Sequence, residues 1–188
     1  MNAIKKFTVL ISVFALIVSC KEDVLPKPKA YLRLEYPASR YKLIQSDCSY
    51  YFEASTQASV KTNNKCWVNI NYPKLNATIN LTYRPIKNNL KELFTEAEKL
   101  TFNHTIKADG ISSIPYEDKT RKVYGVIFEV TGNAASPIQF HITDSLHNFI
   151  TGAAYFNVQP NYDSIKPAIN HIQKDIIHLI ESLEWKNN

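Results

Sequence analysis

The chain has 188 residues, with 22 Lys and Arg against 17 Asp and Glu, giving a formal net charge of +5. That length fits a single domain. The charge is too mild and too scattered for the basic face that nucleic acid requires, so no nucleic-acid partner is expected. With only four glycines present, the composition argues against a glycine-rich nucleotide loop.

The amino terminus reads MNAIKKFTVLISVFALIVSC. Lys5 and Lys6 precede an apolar run from Phe7 to Val18, which is shorter than the roughly 20 residues a permanent spanning helix needs. This is the pattern of an export signal. It ends Ile17-Val18-Ser19-Cys20, where a small residue precedes a cysteine, as in a lipobox. We therefore expect a lipoprotein signal peptide over 1–19 and lipidation at Cys20. Removing 1–19 takes away Lys5 and Lys6 and no acidic residue, lowering the formal charge to +3. Residues 20–30 form an expected extended tether, with Pro26 and Pro28 spaced by lysines. The lipid bilayer is thus an expected partner through acylated Cys20. Lys21-Glu22-Asp23, directly after it, has the character of a sorting address.

A single domain is expected over 31–188. It opens with a short strand, Tyr31 to Tyr36. Cys48 and Cys66 remain after Cys20 is taken by lipid, and disulfides persist in compartments outside the inner membrane. A hairpin centred on Gln57 would set Cys48 opposite Cys66, within bonding reach, and a disulfide between them is expected.

Alternation of period two follows. Cys66, Val68, Ile70 and Tyr72 point one way while Asn69 and Asn71 point the other. After a turn at 73–76, Ala77, Ile79, Leu81 and Tyr83 oppose Thr78, Asn80, Thr82 and Arg84. This is the signature of a half-solvated antiparallel sheet. The period then changes. Asn89 and Glu92 read as a capping box, and Leu90, Leu93, Phe94, Ala97, Leu100 and His104 form a helical stripe. The pattern predicts a helix over about 89–108, stopped near Asp109-Gly110.

A second set of strands is expected: an edge strand over 111–116, interrupted by Pro115; one over 122–131, with Tyr124, Val126, Phe128 and Val130 inward; and one around Ile138 to Thr143. Residues 149–158 are apolar or small on both sides and read as a central strand. A final helix, capped by Ser164 with Pro167 in its first turn, carries Ile165, Ile169, Ile172, Ile176, Leu179 and Leu183, and its stripe runs on to Trp185. The order of strands, helix, strands, helix predicts an α+β fold, a mainly antiparallel sheet covered by two long helices. It resembles the PsbP/Mog1-like fold, a likeness that carries no function with it.

The residues show no catalytic constellation. Of the five histidines, His171 and His178 lie seven apart on the final helix, near 10 Å at the usual rise, and read as solvent-side residues, so no metal site is expected. Thr143-Asp144-Ser145 with His147 holds hydrolase letters without a nucleophile elbow and reads as a turn. No cofactor is expected. Asn103, His104, Lys107 and Asp109 form a polar group at the predicted helix end and are a candidate interaction cluster. A Tyr-rich composition keeps open a binding module for an envelope glycan or peptidoglycan fragment. A hydrolase assembled from distant residues is the third reading.

Several long stretches carry a family resemblance. They are the lipobox at Cys20, PKPKAYLRLEYP, CWVNINYPKLNATINLTY at 66–83, NNLKELFTEAEKLTFNHTIKADGI at 88–111, VYGVIFEVTGNAASPIQFHITDS at 123–145, PNYDSIKPAINHI at 160–172 and SLEW at 182–185. In these the chain resembles the gliding motility lipoproteins of the GldD family of Bacteroidetes, over nearly its whole length. The resemblance implies a non-catalytic part in gliding over surfaces, tied to type IX secretion. It implies other gliding-motility envelope lipoproteins and membrane components as partners, and lipid anchorage in the cell envelope, at the outer membrane rather than the inner. It brings no catalytic residues with it.

Overall fold

The computed structural model of the protein describes residues 36, 38–103, 108–158 and 161–186. Strands β1 (Tyr41–Ile44), β2 (Tyr50–Ser55), β3 (Ser59–Thr62), β4 (Val68–Tyr72) and β5 (Ala77–Pro85) lead into helix α1 (Leu90–Phe102). Strands β6 (Ala108–Asp118), β7 (Val123–Gly132), β8 (Ile138–Thr143) and β9 (Asn148–Phe156) follow, then helix α2 (Tyr162–Glu181) and the two-residue β10 (Glu184–Trp185). The expected strand at 31–36 and everything before it lie outside the described residues, Tyr36 excepted.

The strands form an antiparallel seven-stranded sheet in the order β3-β4-β5-β9-β8-β7-β6 and a three-stranded sheet, β1-β2-β10. Alternation gives the large sheet two unlike faces. Val68, Ile70, Ala77, Ile79 and Leu81 are buried on one of them, together with Ile138, Phe140, Ile142, Ile150 and Ala154 of the paired strands. Helix α2 and strand β2 cover this face through Ile172, Ile176, Leu179, Tyr50 and Phe52, making one core. Helix α1 lies on the opposite face, where Leu93 and Ala97 pack with Phe149 in a separate small cluster. The fold is therefore α+β, with two helices over a mainly antiparallel sheet. The run at 149–158 does form the central strand β9, buried on both sides at 148–150, while Thr151, Ala153 and Tyr155 stay partly open on the α1 side. Strand β6, with Pro115 in it, is an edge, where proline's missing amide is tolerated.

Several expectations need correction. Cys48 and Cys66 are bonded, with Cα atoms 5.5 Å apart, but not across a β2–β3 hairpin. Strand β2 pairs with β1 and β10, and β3 pairs with β4. The turn after Ser55 carries the chain from the small sheet to the large one, so the disulfide joins two sheets. Asn63 makes the next turn: its carbonyl accepts the Cys66 N–H, and its side-chain oxygen accepts the N–H groups of Lys65 and Trp67.

The capping box at Asn89 does not form, because the Asn89 side chain turns back to accept the Lys87 N–H (2.8 Å). Helix α1 ends at Phe102, and Gly110 lies in β6 beside a register shift rather than stopping a helix. Leu100 points to solvent at 55% exposure, and Thr101 takes the buried position one helical turn after Ala97. In β7 the residues facing the main core are Val123 and Ile127. Tyr124, Val126 and Phe128 lie on the α1 face, since they pair with Thr143, His141 and Gln139. Helix α2 is capped by Asn161 rather than Ser164, which puts Pro167 beyond the first turn. Its helical stripe stops at Glu181, and Trp185 belongs to β10 against Tyr50.

One glycine marks the tightest contact in the core. A Cβ on Gly152 would meet the Phe140 ring at 2.1 Å, on the neighbouring strand. Gly152→Ala overpacks this site and should destabilise the fold by about 1–3 kcal/mol. Urea denaturation monitored by circular dichroism measures it, and an unchanged midpoint would show that Phe140 moves aside freely.

Candidate functional site

Three regions bring polar or titratable side chains together. The first is a cleft of about 740 Å³ at one end of the sheet, bordered by Tyr83, Arg121, Asp144, Asn148 and Trp185. Asp144 organises it. One carboxylate oxygen accepts the backbone N–H groups of Leu146 (2.9 Å), His147 (2.7 Å) and Asn148 (2.8 Å). The other accepts from the Asn148 side-chain amide at 2.6 Å, whose carbonyl end takes the Tyr83 hydroxyl at 2.9 Å. Burial pushes the Asp144 carboxyl up, but these amide donors together outweigh it and hold its pKa below the ordinary value. Asp144 is thus spent on the β8–β9 turn. His147 gives it a main-chain N–H, which is turn chemistry rather than a catalytic relay.

Two cations of this cleft, Arg121 and Lys186, are similarly engaged. The Arg121 guanidinium holds Asp118 (2.9 Å) and the Tyr116 hydroxyl (2.6 Å), and it donates to the carbonyls of Glu181, the last residue of α2, and Leu183 just past it. The Lys186 ammonium donates to Ser46 O, and Tyr51 donates to Glu184. The cleft is a seam in which the chain's own groups pair with one another.

The second region is where the chain enters the domain. Tyr36 lies against His171 of α2, with ring centres 4.8 Å apart, and Tyr41 stacks on His178 at 3.5 Å. Asp175 sits between these histidines on the helix and is 3% exposed. It accepts the hydroxyls of Tyr41 (3.0 Å) and Tyr72 (3.0 Å), and a longer one from Ser39 (3.4 Å). Burial first, and then the Asp175 charge, push the Tyr72 hydroxyl's pKa upward. His178 also meets the Glu53 carboxylate at 2.7 Å. His171 is 8% exposed, so neither histidine is the solvated helix residue expected.

The third region is the face of the large sheet that bears α1. The helix covers only part of it. Phe94 packs edge-on against His141 (5.1 Å) and Phe149 (5.3 Å), closing an aromatic box around His141, which is 3% exposed. Burial pulls the His141 pKa down to about 4. Beyond α1, the outward residues of β4, β5 and β9 stay open. Asn69 donates to Asn80 (2.8 Å) and Thr78 to Asn71 (3.3 Å) across the β4–β5 pair. A groove between α1 and the sheet is lined by Asn80, Thr82, Leu100, Thr151 and Tyr155, with Gln139 in its wall.

Of the residues singled out from sequence, Asn103 and Asp109 are exposed, one ending α1 and the other within β6. His104 and Lys107 lie outside the described residues, as does Cys20. Among the described residues, no group of three or more His, Cys, Asp or Glu is placed to hold a metal ion, and no helix is long and apolar enough to cross a membrane. Sequence reasoning missed Asp175, although a carboxylate inside the Ile172–Ile176–Leu179 stripe was a visible signal. It also missed the open face, whose signal was Asn and Thr at the outward positions 69 and 71 of β4 and 78, 80 and 82 of β5.

Two outcomes follow. The Asp175→Ala change strands the buried Tyr72 hydroxyl and should cost about 1–3 kcal/mol, read as a lower urea midpoint; an unchanged midpoint would remove Asp175 as the fastener of the entry segment. His141 is neutral when folded but takes a proton below its ordinary value of 6.5 when unfolded. The unfolded state therefore binds the extra proton between pH 6.5 and 4, and stability falls as pH drops through that window. Denaturation midpoints against pH should show this slope in the parent and a shallower one in His141→Phe.

No curated protein matches the chain. A family model described as gliding motility lipoprotein GldD matches residues 21–185. That match spans both sheets and both helices. It supports a non-catalytic, gliding-motility-associated role, and the chain belongs to the gliding motility lipoprotein GldD family.

Proposed function

We propose that the chain is held on the cell envelope by an acylated Cys20 and supports the assembly or stability of the gliding apparatus and its type IX secretion machinery. The observation that carries this reading is the family match, which begins at residue 21, directly after the lipobox cysteine. The domain organisation proposed with it is a signal peptide over 1–19, a tether over 20–30 and a single domain over 31–188, of the PsbP/Mog1-like type.

The physics of the anchor favours placement as the contribution. Each buried lipid methylene is worth about 0.8 kcal/mol, and more than one chain is needed for lasting attachment. Between Cys20 and Tyr36 the backbone reaches at most about 55 Å at full extension. The domain is therefore kept within a shell of that depth, which raises its effective concentration toward other membrane-bound parts. Its partners in this reading are other gliding-motility envelope lipoproteins and membrane components. The outer membrane is the proposed site, with Lys21-Glu22-Asp23 as the address.

Deletion of the gene should abolish spreading, the parent gene should restore it, and Cys20→Ala should not, with protein levels followed by immunoblot. Full restoration by a Cys20→Ala protein present at parental level would end the tether reading.

A further inference from the structure

The open part of the large sheet is built differently from the rest of the surface. Its outward side chains are amides and hydroxyls: Asn69 and Asn71 on β4, Thr78, Asn80 and Thr82 on β5, and Thr151 on β9. An aromatic ring stands at either end. Trp67, just before β4, is 43% exposed, and its indole N–H is fixed to the Tyr83 carbonyl (3.2 Å). Tyr155, paired with Thr78, is 37% exposed. Three adjoining hollows of about 300, 440 and 540 Å³ all include Asn80, so the surface is one continuous trough.

An independent observation lies in the wall of this trough. Gln139 is 7% exposed, and its side-chain nitrogen is buried without a hydrogen-bond partner. The other end of the amide meets the Thr101 hydroxyl of α1 at 3.2 Å. Whichever way the amide is turned, one end is left over. A buried polar group without a partner is costly, and it sits where α1 borders the open strip.

We propose that this trough is a binding site for a neutral glycan strand bearing acetamido sugars. Three features select that chemistry. The strip has no charged side chain among its central residues; its cations stand at the border, with Lys61 of β3 beside Asn69, Arg84 paired with Glu96 and Lys65 5.3 Å from the centre of the Trp67 ring. A ligand recognised here is read by neutral hydrogen bonding. Next, Trp67 and Tyr155 offer flat faces for the C–H side of sugar rings, and the Tyr155 hydroxyl adds a polar handle. Finally, Ala153 stands between Asn80 and Gln139 in the same row of the sheet, with Ala97 and Leu100 of α1 beside it. An acetamido group fits such a place, its methyl on the alanines and its amide toward Asn80 and Gln139.

Size and backbone geometry argue against the other occupants. The strip is about 13 Å along the strands and about 14 Å across them, from ordinary strand spacings. Its area of roughly 200 Å² is well below the 800 Å² or so that each partner contributes to a stable protein interface. A peptide adds to a sheet at its edge, through main-chain hydrogen bonds. Here the main-chain groups of β4, β5 and β9 are already paired within the sheet, so only side chains are available to a ligand.

The test uses the full chain in detergent, titrated with chitotetraose as the acetamido probe and cellotetraose as the control of equal length without acetamido groups. Intrinsic fluorescence reports binding, because Trp67 and Trp185 are the two tryptophans. Chitotetraose should produce a saturable change that persists in Trp185→Phe and vanishes in Trp67→Phe. Calorimetry should show affinity at least tenfold weaker in Asn80→Ala and Tyr155→Ala, with thermal melts confirming that both variants stay folded. Cellotetraose should bind at least tenfold more weakly than chitotetraose. No saturable response to chitotetraose up to ~10 mM overturns the proposal, the weakest affinity usually counted as specific being in the millimolar range. So does equal affinity for the two sugars, or undiminished binding in folded Asn80→Ala and Tyr155→Ala. A cellular protein crosslink lost on changing Trp67, with no sugar bound by the parent, also overturns it and makes the trough a protein contact instead.

Discussion

The strict alternation of β4 and β5 is the constraint from which the rest of the structure follows. Isoleucine, leucine and valine on one side of these strands must leave water, and asparagine and threonine on the other must keep a hydrogen-bonding environment. A sheet so divided needs one continuous apolar cover and tolerates an incomplete one on its second face. Helix α2 with β2 supplies the first. Helix α1 supplies the second, and only in part, over β8 and β9 with one ring contact to β7. The trough beyond α1 is the uncovered remainder.

The apolar cover is itself held at several independent points. The disulfide ties the start of β2 to the start of β4, fixing the small sheet to the large one. Asp175 ties α2 to β4 through Tyr72 and to the incoming chain through Tyr41. Arg121 ties the β6–β7 turn to the carbonyls after α2. The last two fastenings use polar groups that are satisfied on both sides, the condition under which buried polar contacts specify a fold rather than weaken it. Tyr36 and Tyr41 are fastened to the longest helix, which packs into the main core.

The two concave regions differ in a way that separates architecture from recognition. In the end cleft, Asp144, Asn148, Tyr83, Arg121 and Lys186 are committed to one another or to backbone groups. In the trough, the Asn69–Asn80 pair is exposed to exchange with a ligand, and one buried amide end lacks a partner. A cleft that satisfies itself stabilises the domain. A surface of exposed amides and hydroxyls bordered by two aromatic rings, with one unpartnered amide end buried in its wall, has hydrogen-bonding capacity to spare.

Much of this was readable from the residues themselves. The alternation at 68–72 and 77–83, the apolar stripe of α2 and the central character of β9 depend on local patterns of period 2 or 3.6 or of unbroken apolar residues, which any chain must express to bury a face, and the edge position of β6 was signalled by Pro115. The disulfide partners were named from sequence, although through a hairpin that does not exist. Strand pairing is a choice among non-local alternatives of similar local pattern. It was settled by which surfaces β2 and β3 cover once α2 is in place. The same reason explains why the cap of α2, the inward face of β7 and the role of Asp175 emerged only in three dimensions. A sequence states which residues must avoid water. The packed structure decides which neighbours they find, and so which polar groups end up paired and which are left facing a trough.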